Sequence, residues 1–180
     1  NNVDRSKHII ENMLYMVELN PVNDKLCNKI FKIIDYNSTP NTVLANFLLD
    51  NWENMWRKEY KGLKSFDIIM GNPPYQGTGR KKIYVNFVEK ILEEKILNPS
   101  KYLIFITPKL IFNYLLGITT LQKTQDNFYD LVYFNTSNIL KNHFNNISSD
   151  FCYFLLKNQK YKNKTHIIFE NNKEEPKFQL

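Results

Sequence analysis

The ten residues FDIIMGNPPY, positions 66 to 75, set a strand-like apolar run directly against Asn72, Pro73, Pro74 and Tyr75. Each proline fixes its own φ, removes a backbone donor and pushes the residue before it toward extended geometry, so the tetrapeptide is a stiff corner presenting mainly acceptors. The side-chain oxygen of Asn72 and the carbonyl of Pro73 can converge on one amino group, while Tyr75 offers a flat face to stack on a ring. Gly71 is expected to free the backbone to turn where the strand ends. A site with two acceptors and a stacking surface suits an exocyclic aromatic amine, whose lone pair is delocalised into its ring. Taking both N–H hydrogens into hydrogen bonds shifts the nitrogen toward tetrahedral geometry and returns density to the lone pair. The amine can then attack a carbon that is already activated, such as a sulfonium methyl. Orientation and preorganised dipoles carry that chemistry, with no histidine, serine or metal required.

The elements that must position this corner alternate. LYMVEL (14 to 19) reads as a short strand; Pro21 can open a helix in which Val22, Leu26, Ile30, Ile33 and Ile34 share one face. NTVLANFL (41 to 48) reads as the next strand. A segment with Trp52 and Trp56 leads through Gly62 to the strand at 66 to 70, and the two tryptophans are expected to pack rather than to bind. Apolar residues at 84, 87, 88, 91 and 92 have helical spacing, and KYLIFITP is a buried strand stopped by Pro108. Helical segments near KLIFNYLL and TTLQKTQDNF precede strands at DLVYFNT, DFCYFLL and THIIFE, and residues 4 to 13 resemble a helix. Strands alternating with helices imply βαβ crossovers and a mostly parallel, doubly wound sheet of α/β class. Ligands in such sheets gather beyond the carboxyl ends of the strands, which is where the Asn-Pro-Pro-Tyr corner falls.

Composition narrows the partners. The 180 residues are 43% hydrophobic and 14% aromatic, enough for a core in one domain. No stretch approaches a membrane span and the opening residues lack a signal peptide pattern, so the expectation is a soluble cytoplasmic chain with no membrane partner. Cys27 and Cys152 lie far apart in apolar patterns and read as buried thiols; His8, His143 and His166 have no metal-binding spacing. A net charge of +6 suits a polyanion. Arg80, Lys81 and Lys82, just after the corner, are candidates for phosphate contact or for a plain solvated loop, as is the basic run from 157 to 164.

FDIIMGNPPY closely resembles the catalytic motif of the N6-adenine DNA methyltransferases, especially the large restriction-modification methylases in which methyltransferase and endonuclease share a polypeptide. NMLYMVELNP is similar to that family's second strand, ANFL at 45 to 48 to its third-strand motif, and KYLIFITPKLIF and DLVYFNTSNIL…HF…SSDFCYFLL to its later segments. The resemblance covers nearly all of residues 8 to 157 in family order. It implies a Rossmann-like, class I S-adenosylmethionine-dependent core in which Asn72, Pro73, Pro74 and Tyr75 are catalytic. Glu18 would bind the ribose hydroxyls of S-adenosylmethionine, Asn46 and Phe47 would sit near its adenine, and double-stranded DNA would be the partner. Asn46 departs from the family's usual aspartate, keeping an acceptor while losing the charge. The acidic ribose ligand normally follows a glycine-rich loop by about 20 residues. The resemblance therefore places that loop, and the central first strand carrying it, before Asn1, on a polypeptide segment that would have to be supplied. Residues 1 to 180 are accordingly expected to form one partial methyltransferase domain, with 158 to 180 as a polar extension. Two alternatives stay open: a methyltransferase acting on protein glutamine or ribosomal RNA, and a non-catalytic fragment or half of a split methylase.

Overall fold

Two kinds of segment build this chain, apolar stripes that close a core and asparagine-rich junctions that tie helices to strands. The computed structural model describes residues 2–57, 63, 65–75, 82–116, 129–136, 151–159 and 166–169. They fall into two compact units, residues 1–64 and 65–180.

In the first unit, α1 (Asn2–Asn12), β1 (Tyr15–Glu18), α2 (Pro21–Ile34), β2 (Asn41–Leu44) and α3 (Trp52–Arg57) follow one another. β1 and β2 pair in parallel, Tyr15 with Asn41 through Glu18 with Leu44. Asn20 starts α2 as an extended N-cap whose side-chain oxygen accepts from the Val22 amide, and Pro21 occupies the first turn, where no amide is needed. Asn41 is buried, and its side-chain amide reaches the carbonyls of Ile10 and Glu11 at 3.2 and 2.9 Å, acceptors in the last turn of α1, and that of Leu14, just beyond the helix, at 2.9 Å. The Asn28 side chain donates to Thr42 Oγ1 at 2.9 Å and ties α2 to β2. Ile10, Trp52 and Met55 are buried, so Trp52 packs as its pattern suggests. The apolar face read on α2 forms as a helix face, yet no residue of that helix is buried: Val22 is 70% and Ile33 84% exposed. β2 is shorter than its apolar run, because the chain turns after Leu44.

The second unit holds β3 (Phe66–Gly71), α4 (Ile83–Glu93), β4 (Leu97–Pro108), α5 (Ile111–Leu116), β5 (Tyr129–Thr136), β6 (Phe151–Asn158) and β7 (His166–Phe169). Its sheet runs β3-β4-β6-β5-β7. β3 with β4 and β5 with β7 are parallel, whereas β6 runs antiparallel to both neighbours. Counting the separate β1–β2 pair, three of the five pairings among the described strands are parallel, which makes this a mixed α/β fold. β4 begins at Leu97, before the expected Lys101: Phe66 pairs with Leu97, and the register then slips so that Ile68 meets Tyr102. Pro99, which has no N–H for a ladder, and Ser100, in the left-handed region at φ 62°, lie within that slip.

Period-2 burial on the strands and helical spacing on α4 make the core. Leu103, Phe105 and Thr107 on β4 face inward with Cys152, Phe154 and Leu156 on β6. Leu103 pairs with Leu156 and Phe105 with Phe154, whose rings meet edge-to-face at 6.2 Å. Tyr84, Val88, Ile91 and Leu92 form the buried stripe of α4. Each fully buried aliphatic or aromatic side chain here is worth about 1.5–3 kcal/mol. No helix among the described residues is long and apolar enough to cross a membrane. The helical segment expected near 119 to 128 lies outside the described residues.

Candidate active site

The corner follows the parallel strand β3 directly. Gly71 is its last residue and pairs with Phe105, without a left-handed φ, so the turn does not depend on glycine's freedom as expected from the sequence. A Cβ at Gly71 would meet the Phe105 ring at 3.4 Å, an ordinary contact. Beyond it Asn72 is exposed, Pro73 buried, Pro74 exposed and Tyr75 half-buried. Pro73 thus anchors the corner while the amide before it stays accessible. The Tyr75 hydroxyl donates to Asn72 Oδ1 at 2.8 Å. An amide oxygen has two lone pairs, so this bond leaves acceptor capacity on Asn72 and fixes which way its amide points.

Behind Tyr75 stands Phe151, the first residue of β6, 2% exposed, its ring 5.2 Å from that of Tyr75 and inclined by 46°. Phe151 pairs with Pro108, the last residue of β4, and the neighbouring rung joins Thr107 to Cys152. Thr107 Oγ1 and Cys152 Sγ lie 3.4 Å apart, and the thiol also reaches the Pro108 carbonyl at 3.8 Å. Burial pushes the Cys152 thiol up to about 11, which keeps it neutral at physiological pH. Burial likewise raises Tyr75 and Tyr84 above the ordinary tyrosine value. The corner therefore rests on uncharged groups and combines an oriented amide acceptor with a backed aromatic face. It suits the gripping and stacking of a planar amine.

The second set of candidates sits at the ends of β1 and β2. The parallel ladder continues past Leu44 as the Ala45 amide donates to the Glu18 carbonyl at 3.0 Å, bringing Glu18 and the turn after β2 side by side. Glu18 Oε1 accepts the Asn20 amide at 2.9 Å, beside the start of α2, where the helix macrodipole favours a negative charge. Asn46 keeps the acceptor oxygen expected of it, and uses it locally. Its Oδ1 takes the amides of Leu48 and Leu49 at 3.1 and 3.3 Å, and its own amide donates to Asp50 Oδ2 at 2.7 Å. Both oxygen lone pairs are thus engaged in closing the turn, with Phe47 half-buried within it.

Lys82 is exposed at the N-cap of α4, while Arg80 and Lys81 lie outside the described residues, as does His143. Cys27 is half-buried rather than buried as its pattern suggested; Cys152 is buried, and neither forms a disulfide. Among the described residues no group of three or more His, Cys, Asp or Glu could hold a metal ion. Phe151 was not singled out by the sequence. It opens an evident strand, but its meeting with Tyr75 depends on the β4–β6 ladder, which no local pattern encodes.

Comparison with known proteins places this geometry in context. A model of the Eco57I restriction-modification methylase family matches residues 4–140. Over 131 residues, 66% of the chain, the sequence is 32% identical to an uncharacterized adenine-specific methylase of Mycoplasma pneumoniae (strain ATCC 29342 / M129 / Subtype 1). Among solved structures, the type I restriction enzyme EcoKI M protein aligns over 92% of the chain at a TM-score of 0.66 and 15% identity. The structure of a DrdV–DNA complex aligns over 91% of the chain at 0.63 and 13% identity. These likenesses show a shared methyltransferase fold. The chain spans 29% of the Mycoplasma protein, 37% of the EcoKI M protein and 21% of the DrdV chain.

Proposed function

The chain belongs to the Eco57I restriction-modification methylase family, and from that premise we propose that it is catalytic material of a DNA methyltransferase that methylates N6 of adenine within a restriction-modification system. The observation that carries this reading is the Asn72 side chain: an exposed amide at the end of a parallel strand, its oxygen oriented by the Tyr75 hydroxyl.

The target adenine is flipped out of duplex DNA, at a cost of a few kcal/mol that is least for weakened pairs. Stacking on Tyr75 offsets part of this, by about 1–3 kcal/mol. Asn72 Oδ1 and the Pro73 carbonyl accept hydrogen bonds from the two N–H groups of the amine, so that lone-pair density returns to nitrogen. Pro74 keeps that geometry stiff. As the new N–C bond forms and the S–C bond breaks, one amino proton is released to solvent. The net charge of +6 draws the chain to phosphates, and Arg80, Lys81 and Lys82 are the contacts nearest the corner in sequence.

The residues at the strand ends fit S-adenosylmethionine, the methyl donor that methyltransferases of this family use in general; it supplies a methyl group on a positively charged sulfur. Glu18 retains acceptor capacity after bonding the Asn20 amide, so its carboxylate can take ribose hydroxyls. Asn46 acts through the turn it closes, setting Phe47 against the adenine. The partner that completes the fold is a strand-bearing segment with a glycine-rich loop. In support, β3 lies at one end of the five-stranded sheet among the described strands, with Ile68 55% and Met70 71% exposed.

The test is methyl transfer by the natural, full-length protein from labelled S-adenosylmethionine to duplexes carrying adenine in many sequence contexts. Label recovered as N6-methyladenine is the expected result. Label appearing only in a release-factor glutamine or in ribosomal RNA selects the alternative substrate, and no transfer to any of them overturns the proposal.

A further inference from the structure

Resting on the reading above, we infer that Phe151 is a positioning residue for the reaction: it backs the ring of Tyr75, and Tyr75 in turn orients the amide of Asn72, so that a buried strand pair sets the geometry of an exposed corner. The chain of contacts is short. Phe151 is almost fully enclosed and meets Tyr75 at 5.2 Å, and the Tyr75 hydroxyl meets Asn72 Oδ1 at 2.8 Å. Phe151 itself cannot drift, because its strand is laddered to β4 from Phe151–Pro108 through Lys157–Tyr102, and the adjoining Cys152 is wholly buried against Thr107.

The arrangement answers a difficulty that the corner alone leaves. Pro73 and Pro74 stiffen the backbone, but they leave χ1 and χ2 of Asn72 and Tyr75 free. An exposed asparagine turns its amide readily, and rotation by 180° would present a donor where an acceptor is required. The hydroxyl bond selects the acceptor orientation. That bond persists only while the tyrosine ring keeps its place, and Phe151 supplies the surface that holds it. The Phe151 ring, inclined by 46°, braces that of Tyr75 rather than stacking on it, and the target base stacks on Tyr75 alone. Phe151 touches neither base nor cofactor in this account, and acts through Tyr75.

The experiment uses the natural, full-length protein with Phe151→Met, which preserves most of the volume but removes the ring, and Phe151→Leu as a second variant. The aromatic contact and the amide orientation together correspond to a kcat lower by about three- to tenfold, with KM for DNA changed much less. In the Tyr75→Ala background, Phe151→Met should cause no further loss, since the residue it acts through is gone. The side-chain NH2 resonances of Asn72, followed by 15N NMR, should shift or split in Phe151→Met and in Tyr75→Phe alike. This readout needs no methylation, so it separates failure of the inference from failure of the proposed activity. Full kcat and unchanged Asn72 resonances in a folded Phe151→Met protein would overturn the inference. So would equal losses from Phe151→Met with and without the Tyr75 ring, which would mark Phe151 as purely structural.

Discussion

The two units hold their candidate residues by different means. Around Glu18 and Asn46 the holding forces are polar and mostly local: a carboxylate on an amide two residues away, an asparagine closing its own turn, and, from further along the chain, Asn41 clasping the end of α1. Around Asn72 and Tyr75 they are non-local and largely apolar. A ring at the start of β6 backs a ring that follows β3, and beneath them lies a core in which Leu103, Phe154 and Leu156 have no exposure at all. Chemistry that depends on the direction of one amide needs placement to a fraction of an ångström, which a packed sheet supplies. Binding a ribose needs a carboxylate at a strand end, and a short loop can provide that.

The largest effect that tests this contrast is on the amide. Asn72→Ala should lower kcat by about 10²–10³-fold, the usual loss for a preorganised polar group aimed at developing charge. Its affinity for S-adenosylmethionine should stay unchanged, as measured by calorimetry on the full-length protein. Equal loss of both would show that the corner and the residues proposed to hold the cofactor do not divide the work as described.

Much of this was legible in the sequence because it is local. The prolines, the apolar run before them and the spacing of 84, 88, 91 and 92 each carry their consequence within a few residues, and the structure follows them. What escaped depends on pairings between distant segments. Phe151 meets Tyr75 only because β6 runs antiparallel beside β4, and a strand pattern does not state its direction or neighbour. The local use of the Asn46 oxygen escaped for a related reason. Its residue type announces an acceptor, but the turn that follows uses that acceptor first, and asparagine's local backbone bonds compete with every ligand it might serve.

A smaller effect belongs to Glu18. Glu18→Gln keeps the shape and one acceptor but removes the charge, so cofactor affinity should weaken by about 1.5 kcal/mol, roughly tenfold in Kd. The same change removes a favourable charge from the start of α2, worth about 0.3–1 kcal/mol of stability. Measuring Kd and unfolding side by side separates the two roles. A Kd that does not move would reduce Glu18 to a helix-entry residue and leave the first unit without a demonstrated part in binding.

The smallest expected effect bears hardest on the contrast itself. Ile33 lies on the apolar face of α2 and is 84% exposed, so Ile33→Ser should change unfolding free energy in the 180-residue chain by no more than about 0.5 kcal/mol. Leu103→Ala, from a wholly buried position, serves as the control and should cost about 2–5 kcal/mol. An amphipathic helix gains most of its stability by burying its stripe, and α2 carries such a stripe unburied. If Ile33→Ser is neutral in this chain but costs more than about 1 kcal/mol in the full-length protein, that face is one side of a second apolar core. The first unit would then be held as the second is, by packing, and its polar clasps would serve to set register within a core completed by other residues.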